Sequence, residues 1–407
     1  MRLFAFEGLR YTPSACDAGT AGDAGPLAAP PYDQINETVR DQFHAQSPHQ
    51  FVHLTRPVAP AGGDIYKSAA ELHTKWLRDG AIAREGKPAL YPYVIELAGG
   101  AGSENRLGVL GLVEYADASL IRPHEQTLEK AITDRTALLE AMHVDLEPVL
   151  LLSEDGGKLD ALLHADLAGA KELVRHRDAD GNFHVLYKID DPVRIALYQD
   201  ALNVTSAIAD GHHRYKVGQR FAKEHGAQPG TAAATKLAVV TSLDSPALTI
   251  EPIHRAFKEK IDASKLAGLH GEPKAFDGTS GPAFAAAVAA APQPALGVWV
   301  SGGKPEIWHM TGKEIAVKLF QDAVLPALGL PPEASTNGTV VYRSSPDELW
   351  NQVGSGELGT AVFLPPMTPV EFAAAIAGGE MLPAKSTRFM PKVMSGLAWA
   401  DHDAKLL

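Results

Sequence analysis

The chain has 407 residues, of which 45% are hydrophobic and 21% are charged, and its formal net charge is −12. A chain of this length and apolar content can bury a large core and is expected to form two or three packed units. The acidic balance argues against broad nucleic-acid binding, which needs clustered Lys and Arg side chains to neutralise many phosphates. Nucleic acid is therefore not an expected partner, although a local anion site built from a few donors is compatible with this charge.

Nothing in the sequence predicts a membrane or a secretory route. No apolar run reaches 18 residues, and the first six residues lack the long apolar segment of a signal peptide. We therefore expect a cytoplasmic protein without a membrane partner. The single cysteine, Cys16, excludes an internal disulfide framework, a Cys-based zinc site and a Cys-x-x-Cys redox pair.

The first half of the chain predicts a mixture of helices and strands. A stretch rich in Gly, Ala and Pro over residues 15–31 indicates irregular backbone that leads into Tyr32 and Asp33. Apolar periodicity then predicts two helices at residues 36–46 and 64–78. An antiparallel hairpin follows, with strands at 91–97 and 107–115 and a turn at 98–103. A third helix is predicted beyond residue 125 to about 141, and a buried strand at 149–152.

The second half continues with alternating strands and helices. A strong turn at 178–182 separates two short strands, Asp191 and Pro192 open a helix that runs to residue 201, and residues 204–209 form a buried strand. The last third contains an Ala-rich segment at residues 282–291 and a predicted pair of Trp-containing strands near 298 and 307. A helix is predicted from residue 345, a strand at 358–364 and a final helix from 368. This alternation indicates a mixed α/β or α+β fold.

The strongest chemical signal is a polar cluster directly after the strand at 204–209. It is here called the 210–214 turn and consists of Asp210, Gly211, His212, His213 and Arg214. Glycine lets the backbone approach a ligand closely, while a helix start, two imidazoles and a guanidinium supply donors for an anion. Asp210 can orient an imidazole or hold a metal ion. The alternative is a capped helix with surface histidines, and adjacent histidines are a weak zinc signal because neighbouring side chains diverge.

A second polar cluster surrounds residue 125. Pro123 fixes the backbone just before His124 and Glu125, so the Glu125 carboxylate can project from a loop and accept a proton from a substrate hydroxyl. The alternative is that Glu125 caps the following helix and that Asp134 and Arg135 form a surface ion pair.

Two further segments carry candidate ligand-binding side chains. The stretch 381–392 is bounded by prolines and can gather its basic and hydroxyl groups around a phosphate or a carboxylate, although basic residues in a late loop are usually solvated. Its candidates are Lys385, Ser386, Thr387 and Lys392. Near the start, Tyr32 and Asp33 follow two prolines and form either a rigid turn or a loop that faces the substrate.

Taken in order, these stretches resemble a bacterial family known only as a domain of unknown function, and the resemblance runs nearly end to end. The motifs are Pro30-Pro31-Tyr32-Asp33, His124-Glu125-Gln126-Thr127 with Asp134-Arg135, the 210–214 turn with its two flanking residues, and Pro383-Ala384-Lys385-Ser386-Thr387 with Pro391-Lys392. Four ordered motifs are more specific than any one of them.

The central motifs are also similar to the free-serine kinases of the ParB/sulfiredoxin-like superfamily, in which a His-Glu segment precedes an Asp-Gly-His-His-Arg turn. The resemblance implies ATP or ADP and Mg²⁺ as cofactors, with nucleotide phosphates on the 210–214 turn and the metal on Asp210. It implies that Glu125 activates the serine hydroxyl. His124 and Asp210 are further candidate catalytic residues, and Arg135 is a candidate phosphate ligand. The candidates for binding the substrate or a second anion are Tyr32, Asp33, Lys385, Ser386, Thr387 and Lys392.

The expected fold is therefore a mixed α+β protein with a ParB/sulfiredoxin-like central module at 108–265, between α/β regions at 1–107 and 266–407. The leading function is nucleotide-dependent phosphotransfer to the hydroxyl of a small metabolite, with free L-serine as the first candidate. One alternative is a ParB-like nucleotide-binding switch, which the acidic charge and the lack of an evident helix-turn-helix disfavour. The other is a phosphate-ester hydrolase that uses the same residues.

Overall fold

The computed structural model describes residues 1–15, 27–98, 105–125, 129–379 and 381–407, the side chains of residues 129–131 excepted. Cys16, most of the predicted turn at 98–103, and Gln126 and Thr127 lie outside these residues. Helices and strands alternate through the described chain, so the predicted mixed α/β class is confirmed. The chain divides into two units, Met1–Pro123 with Thr127–Leu248 and Pro391–Leu407, and His124–Gln126 with Thr249–Met390.

The first unit is built on a large mixed sheet. Its strands are β1 (Leu3–Phe4), β2 (Leu9–Tyr11), β3 (Ile82–Arg84), β4 (Tyr91–Glu96), β5 (Arg106–Glu114), β6 (Ile121–Arg122), β7 (Val144–Asp145), β8 (Val149–Ser153), β9 (Val174–Arg177), β10 (Phe183–Leu186), β11 (Ser206–Asp210) and β12 (Thr235–Ser242). The sheet order is β6-β11-β8-β12-β5-β4-β10-β9, and β1 also pairs with β5. Smaller pairs join β2 to β3, and β7 to Ala400–Asp401. The predicted boundary after residue 107 lies inside β5, and that after residue 265 lies inside the second unit.

The helices of the first unit are α1 (Glu37–Gln46), α2 (Val52–Thr55), α3 (Ile65–Arg78), α4 (Glu129–Met142), α5 (Lys158–Leu167), α6 (Pro192–Ala201) and α7 (His212–Glu224). Three of them begin at capping residues seen in the sequence. The side chains of Asn36, Asp64 and Asp191 accept hydrogen bonds from backbone N–H groups in the first turns of α1, α3 and α6. These caps explain why the predicted helix starts are confirmed within a residue or two.

The second unit has its own sheet and core. Its strands are β13 (Thr249–Glu251), β14 (His254–Phe257), β15 (Lys274–Ala275), β16 (Ala295–Val300), β17 (Glu306–His309), β18 (Val341–Arg343), β19 (Thr360–Phe363) and β20 (Arg388–Met390), and its helices are α8 (Gly281–Ala290), α9 (Ala316–Leu319), α10 (Leu325–Ala327), α11 (Pro346–Gly354) and α12 (Pro369–Ala377). The sheet order is β15-β17-β16-β19-β14-β18, and β13 pairs with β20. Phe284, Leu349 and Phe363 lie in its core. No described helix combines the length and apolar character needed to cross a membrane.

The two faces of the large sheet differ in chemistry. One face contributes Val109, Leu151 and Val240 to an apolar core that also contains residues of α5 and α6. Cross-strand partners share a face, and Ile95 pairs with Arg106 on β5 and with His184 on β10. Tyr93 lies two residues from Ile95 on β4 and therefore projects from that face as well. The sequence thus places three polar side chains together on one buried face of the sheet.

A buried hydrogen-bond chain ties the segment after residue 390 to this face. The Nε2 atom of His184 lies 3.0 Å from Asp178 Oδ2, its Nδ1 atom lies 2.6 Å from the Tyr93 hydroxyl, and the Met394 N–H donates to the Tyr93 oxygen at 3.1 Å. Burial lowers the pKa of His184, so the neutral ring donates from Nε2 to Asp178 and accepts the Tyr93 O–H at Nδ1. The chain therefore fixes the backbone two residues beyond Lys392.

Replacing Tyr93 by Phe should lower the free energy of unfolding by about 1–3 kcal/mol, because the Met394 N–H and His184 Nδ1 lose their buried partner. Urea unfolding of the full chain measures the change. The matched control is Tyr187→Phe, since the half-buried Tyr187 hydroxyl has no hydrogen bond among the described residues. The control should change stability by less than about 0.5 kcal/mol, and equal effects of the two substitutions would contradict the anchoring role.

Candidate functional site

The 210–214 turn joins the end of β11 to the start of α7 through Gly211. Gly211 has a φ of 91°, in the left-handed region that favours glycine. A Cβ atom added there would lie 2.8 Å from Val149 Cγ1 and 3.1 Å from the Arg214 guanidinium carbon. The N-cap residue of this 13-residue helix therefore has no side chain.

The Asp210 carboxylate lies between two cations. Its Oδ2 accepts a hydrogen bond from Arg214 Nη2 at 2.7 Å, and its Oδ1 accepts one from Lys392 Nζ. Arg214 Nη1 also donates to the Pro148 carbonyl. Burial alone would raise the pKa of Asp210, but Lys392 and Arg214 outweigh burial and hold that pKa well below its ordinary value. The carboxylate is thus ionised and links the helix start to a lysine 182 residues further along the chain.

Glu147 connects the 210–214 turn to Tyr32 and Arg135. The Tyr32 N–H donates to Glu147 Oε1 at 2.9 Å, and Arg135 Nη1 lies 3.8 Å from Glu147 Oε2. The Arg135 guanidinium also stacks 4.2 Å above the Tyr32 ring. Burial raises the pKa of Glu147 even though the Arg214 and Arg135 charges oppose that shift. Burial likewise raises the pKa of Tyr32 to about 12.

Arg135 is held on all sides by these and further contacts. Its Nη1 donates to the Thr55 carbonyl at 2.8 Å and its Nε to Asp134 Oδ2 at 2.7 Å, and the residue is 7% exposed. The Asp134–Arg135 pair is therefore not the surface ion pair considered from sequence. Protein partners therefore occupy the Arg135 guanidinium, and its role as a phosphate ligand stays a prediction.

A small cavity lies beside Glu147 and Arg214. Its volume is about 50 Å³, and its charged lining includes Arg135, Asp145 and Lys236. Lys236 Nζ donates to Asp145 and to the Glu147 carbonyl. A space of this size has room for one or two water molecules, whereas ligand pockets have volumes of roughly 300 Å³ or more. We therefore do not place a nucleotide in this cavity.

In the second unit, the Glu125 side chain contacts the loop of residues 383–387, here called the 383–387 loop. Its Oε1 accepts the Lys385 N–H at 2.7 Å, and Oε2 has no hydrogen bond to any residue that the structure describes. Lys385 has a φ of 59°, which is uncommon for a residue other than glycine. Arg255 Nη2 donates to the Lys385 carbonyl at 3.1 Å, so the strained residue is held from both sides.

His124 and the hydroxyl residues lock the same loop. His124 is fully buried, its Nε2 lies 2.8 Å from Thr387 Oγ1, and its ring packs at 4.9 Å against Phe372. The His124 carbonyl accepts the N–H of Leu382 at 2.8 Å, and Ser386 Oγ donates to the Pro383 carbonyl at 2.6 Å. These contacts make His124 and the two hydroxyls parts of the loop framework, while the Lys385 side chain is exposed.

The predicted site residues thus fall into two groups. The first unit holds Tyr32, Asp33, Arg135, Asp210, Gly211, His212, His213, Arg214 and Lys392, and the second unit holds His124, Glu125, Lys385, Ser386 and Thr387. Asp33 is exposed, and its charge acts on Arg214 and Tyr32. Lys392, a predicted anion-binding residue of the stretch 381–392, forms an ion pair with Asp210 of the 210–214 turn.

The sequence did not single out several buried charged residues, among them Glu147, Arg106 and Arg255. Glu147 precedes a proline and a strand, Arg106 begins β5, and Arg255 lies within β14 at 1% exposed. The sequence signal that could have identified them is a charged residue at the end of, or inside, an apolar run. A charged residue that is buried there usually has a partner. A charge at a strand end, however, is more often solvated.

A magnesium ion on Asp210 does not fit these contacts. Mg²⁺ needs oxygen ligands in near-octahedral geometry, and both Asp210 oxygens already face cations that would repel it. Within the described residues, no group of three or more His, Cys, Asp or Glu side chains could hold a metal. We therefore derive no chemical step through a metal at this position.

The architecture and the site define a mixed α/β protein with a glycine turn at a helix start and a buried charged network behind it. The model of the family described as a protein of unknown function (DUF1015) matches residues 3–296. The chain belongs to this family, as predicted. The matched residues include the first three motifs, whereas the motif at 383–392 lies beyond them.

Solved structures give more distant similarities. The chain is similar to a conserved hypothetical protein from Pyrococcus furiosus at 15% identity, with a TM-score of 0.37 and coverage of 73% of this chain and 94% of that chain. It is similar to a free serine kinase in complex with AMP at 16% identity, with a TM-score of 0.40 and coverage of 72% and 91%. It is also similar to C-terminally truncated SbnI from Staphylococcus aureus at 13% identity, with a TM-score of 0.38 and coverage of 70% and 84%. The search of curated proteins finds no match.

Asp210→Asn should lower the free energy of unfolding at pH 7 by about 3 kcal/mol, because the buried Arg214 and the partly buried Lys392 lose their carboxylate. The folded-state pKa of Asp210 is depressed, so its stabilisation is present above the unfolded-state pKa of about 3.9 and is lost as the pH falls through the folded-state value. The difference between the two proteins should therefore shrink below about pH 4.

Urea unfolding of both proteins between neutral and acid pH tests this expectation. Asp244→Asn is the control, since Asp244 is an exposed loop residue of the same unit. A stability loss that stays constant down to acid pH would show that the Asp210 charge does not supply the stabilisation.

Proposed function

We propose that the chain is a nucleotide-dependent phosphotransferase that acts on the hydroxyl of a small metabolite, with ATP or ADP as the phosphate donor. Free L-serine is the first candidate acceptor, as the motif resemblance implies. The observation that carries the proposal is the geometry of the 210–214 turn, where a left-handed glycine opens a long helix beside Arg214 and Lys392.

Three physical features favour a phosphate at this turn. Gly211 supplies a left-handed N-cap at the start of α7, and the helix start carries about half a positive charge and presents N–H groups to an anion. Arg214 and Lys392 supply two positive charges against the single negative charge of Asp210. These three side chains together carry one positive charge, and the negative charges of Glu147 and Asp33 also act on Arg214. An anionic ligand at the turn would be held by this positive charge and by the helix start.

Glu125 is the proposed proton acceptor. Its Oε1 is fixed by the Lys385 N–H, which leaves Oε2 to take a proton. In the proposed step the acceptor oxygen forms a bond to phosphorus, the bond from phosphorus to the nucleotide oxygen breaks, and the hydroxyl proton moves to the carboxylate. The exposed Lys385 ammonium is the proposed contact for an anionic group of the ligand.

Arg214→Ala should weaken ADP binding by roughly 1.5–3 kcal/mol, or roughly 10- to 150-fold, because a charge-assisted contact to phosphate is lost. Titration calorimetry on the full chain measures this affinity, with circular dichroism as the check of folding. Arg220→Ala is the matched control, because Arg220 lies on the same helix with an exposed side chain. If Arg214→Ala does not fold, Lys392→Met replaces it. Wild-type ADP affinity in a folded variant would remove the turn from the proposal.

Glu125→Gln keeps the shape of the side chain and removes the base. Turnover in a phosphoryl-transfer assay with serine and related hydroxy compounds should fall by about 10²–10⁴-fold, while ADP affinity stays close to that of the wild type. Glu348→Gln, an exposed substitution on α11, is the control. Wild-type turnover in Glu125→Gln would end the general-base assignment. Tight nucleotide binding without transfer to any acceptor would favour the ParB-like switch instead.

A further inference from the structure

Arg106 is a buried cation whose Nη atoms have no hydrogen-bond partner in the part of the chain that the structure describes. It is the first residue of β5 and is 2% exposed. Arginine is almost never fully buried unless it is paired, because an uncompensated buried charge is strongly destabilising. An orphaned guanidinium of this kind therefore requires an explanation.

The neighbours of Arg106 cannot neutralise it. The strand register places it on the same face as Tyr93 and His184, and the charge of Asp210 also acts on it. Both oxygens of Asp210 are already bonded to Arg214 and Lys392. The Tyr93 hydroxyl is committed to His184 and to a backbone N–H. Burial lowers the pKa of Arg106 to about 10, so its guanidinium is still charged at neutral pH.

An ordered water molecule would satisfy some of the Arg106 donors but would leave the charge uncompensated. A bound carboxylate or phosphate would satisfy both, because its two oxygens match the parallel donors of a guanidinium. The missing partner is therefore best supplied by an anionic ligand.

We propose that Arg106 binds the carboxylate of the hydroxyl-bearing acceptor, so that the substrate is a hydroxy acid or hydroxy amino acid. This inference rests on the proposed function, in which the phosphates of the nucleotide occupy the 210–214 turn. It assigns the two anionic groups of the reactants to two different sites, Arg106 for the carboxylate and the turn for the phosphates. Lys392 and Arg214 stay with Asp210 in this assignment.

The test uses titration calorimetry of the full chain, with ADP and with a panel of L-serine, L-threonine, glycerate and lactate as probes. Serinamide and O-phospho-L-serine complete the panel, since the first lacks the carboxylate and the second adds a phosphate. Wild-type protein should bind at least one hydroxy carboxylate and should bind serinamide at least about tenfold more weakly. Arg106→Met should weaken binding of the carboxylate ligand by about tenfold or more and leave ADP affinity unchanged. The carboxylate affinity of Arg106→Lys should fall between those of the wild type and Arg106→Met.

A stability measurement separates binding from structure. Arg106→Met removes a buried charge that has no partner among the described residues, so the melting temperature of the ligand-free variant should equal or exceed that of the wild type. Substitutions at functional sites often stabilise a protein in this way. Arg175→Met is the matched control, because Arg175 lies on β9 of the same sheet and its guanidinium is paired with Glu96 at 2.8 Å. The control should leave both ligand affinities unchanged.

Several outcomes would overturn the inference. They are wild-type carboxylate affinity in Arg106→Met, equal binding of serine and serinamide, loss of ADP affinity instead of carboxylate affinity, and no binding of any hydroxy carboxylate by the wild-type protein. Failure of the proposed function looks different, because it would appear as absence of ADP binding and of phosphoryl transfer in the wild-type chain.

Discussion

The ion pairs of Asp210 with Arg214 and Lys392 hold together the parts of the first unit that carry its chemistry. One carboxylate joins the end of a central strand, the first turn of α7 and a lysine from the C-terminal segment. Breaking such a buried pair from one side is costly, although forming it gains little over an apolar packing. Its value to the protein is therefore positional, since it fixes two cations beside a helix start.

Other polar contacts of the first unit keep this arrangement rigid. The chain from Asp178 through His184 and Tyr93 to the Met394 backbone fixes the segment that carries Lys392. On another side, Glu147 connects the turn to Tyr32 and Arg135. Every member of these networks has a partner, whereas the Arg106 Nη atoms have none among the described residues. A fully paired framework around one unpaired cation is the pattern expected where stability has been given up for ligand binding.

Local signals in the sequence predicted much of the fold but only part of the site. Asn36, Asp64 and Asp191 cap their helices, and the turn at 178–182 separates β9 from β10, because these choices depend on residues a few positions apart. The 210–214 turn was visible for the same reason, since a strand, a glycine and a helix follow one another directly.

The missed features depend on distant contacts. The sequence near Lys392 does not identify Asp210 as its ion-pair partner, and the sequence near Glu147 does not indicate its contact with Tyr32. Arg106 and Arg255 stand at the start of and within strands, where a charge can be solvated or buried according to tertiary packing. The positive φ of Lys385 is likewise set by its contacts with Glu125 and Arg255, and not by its own residue type.

A crystal structure of the full chain with ADP tests the central claim most directly. We expect phosphate oxygens within hydrogen-bond distance, about 2.7–3.2 Å, of backbone N–H groups in the first turn of α7, with Gly211 beneath them and the Asp210 ion pairs intact. A nucleotide bound elsewhere, or one whose phosphates make no contact with the 210–214 turn, would contradict it.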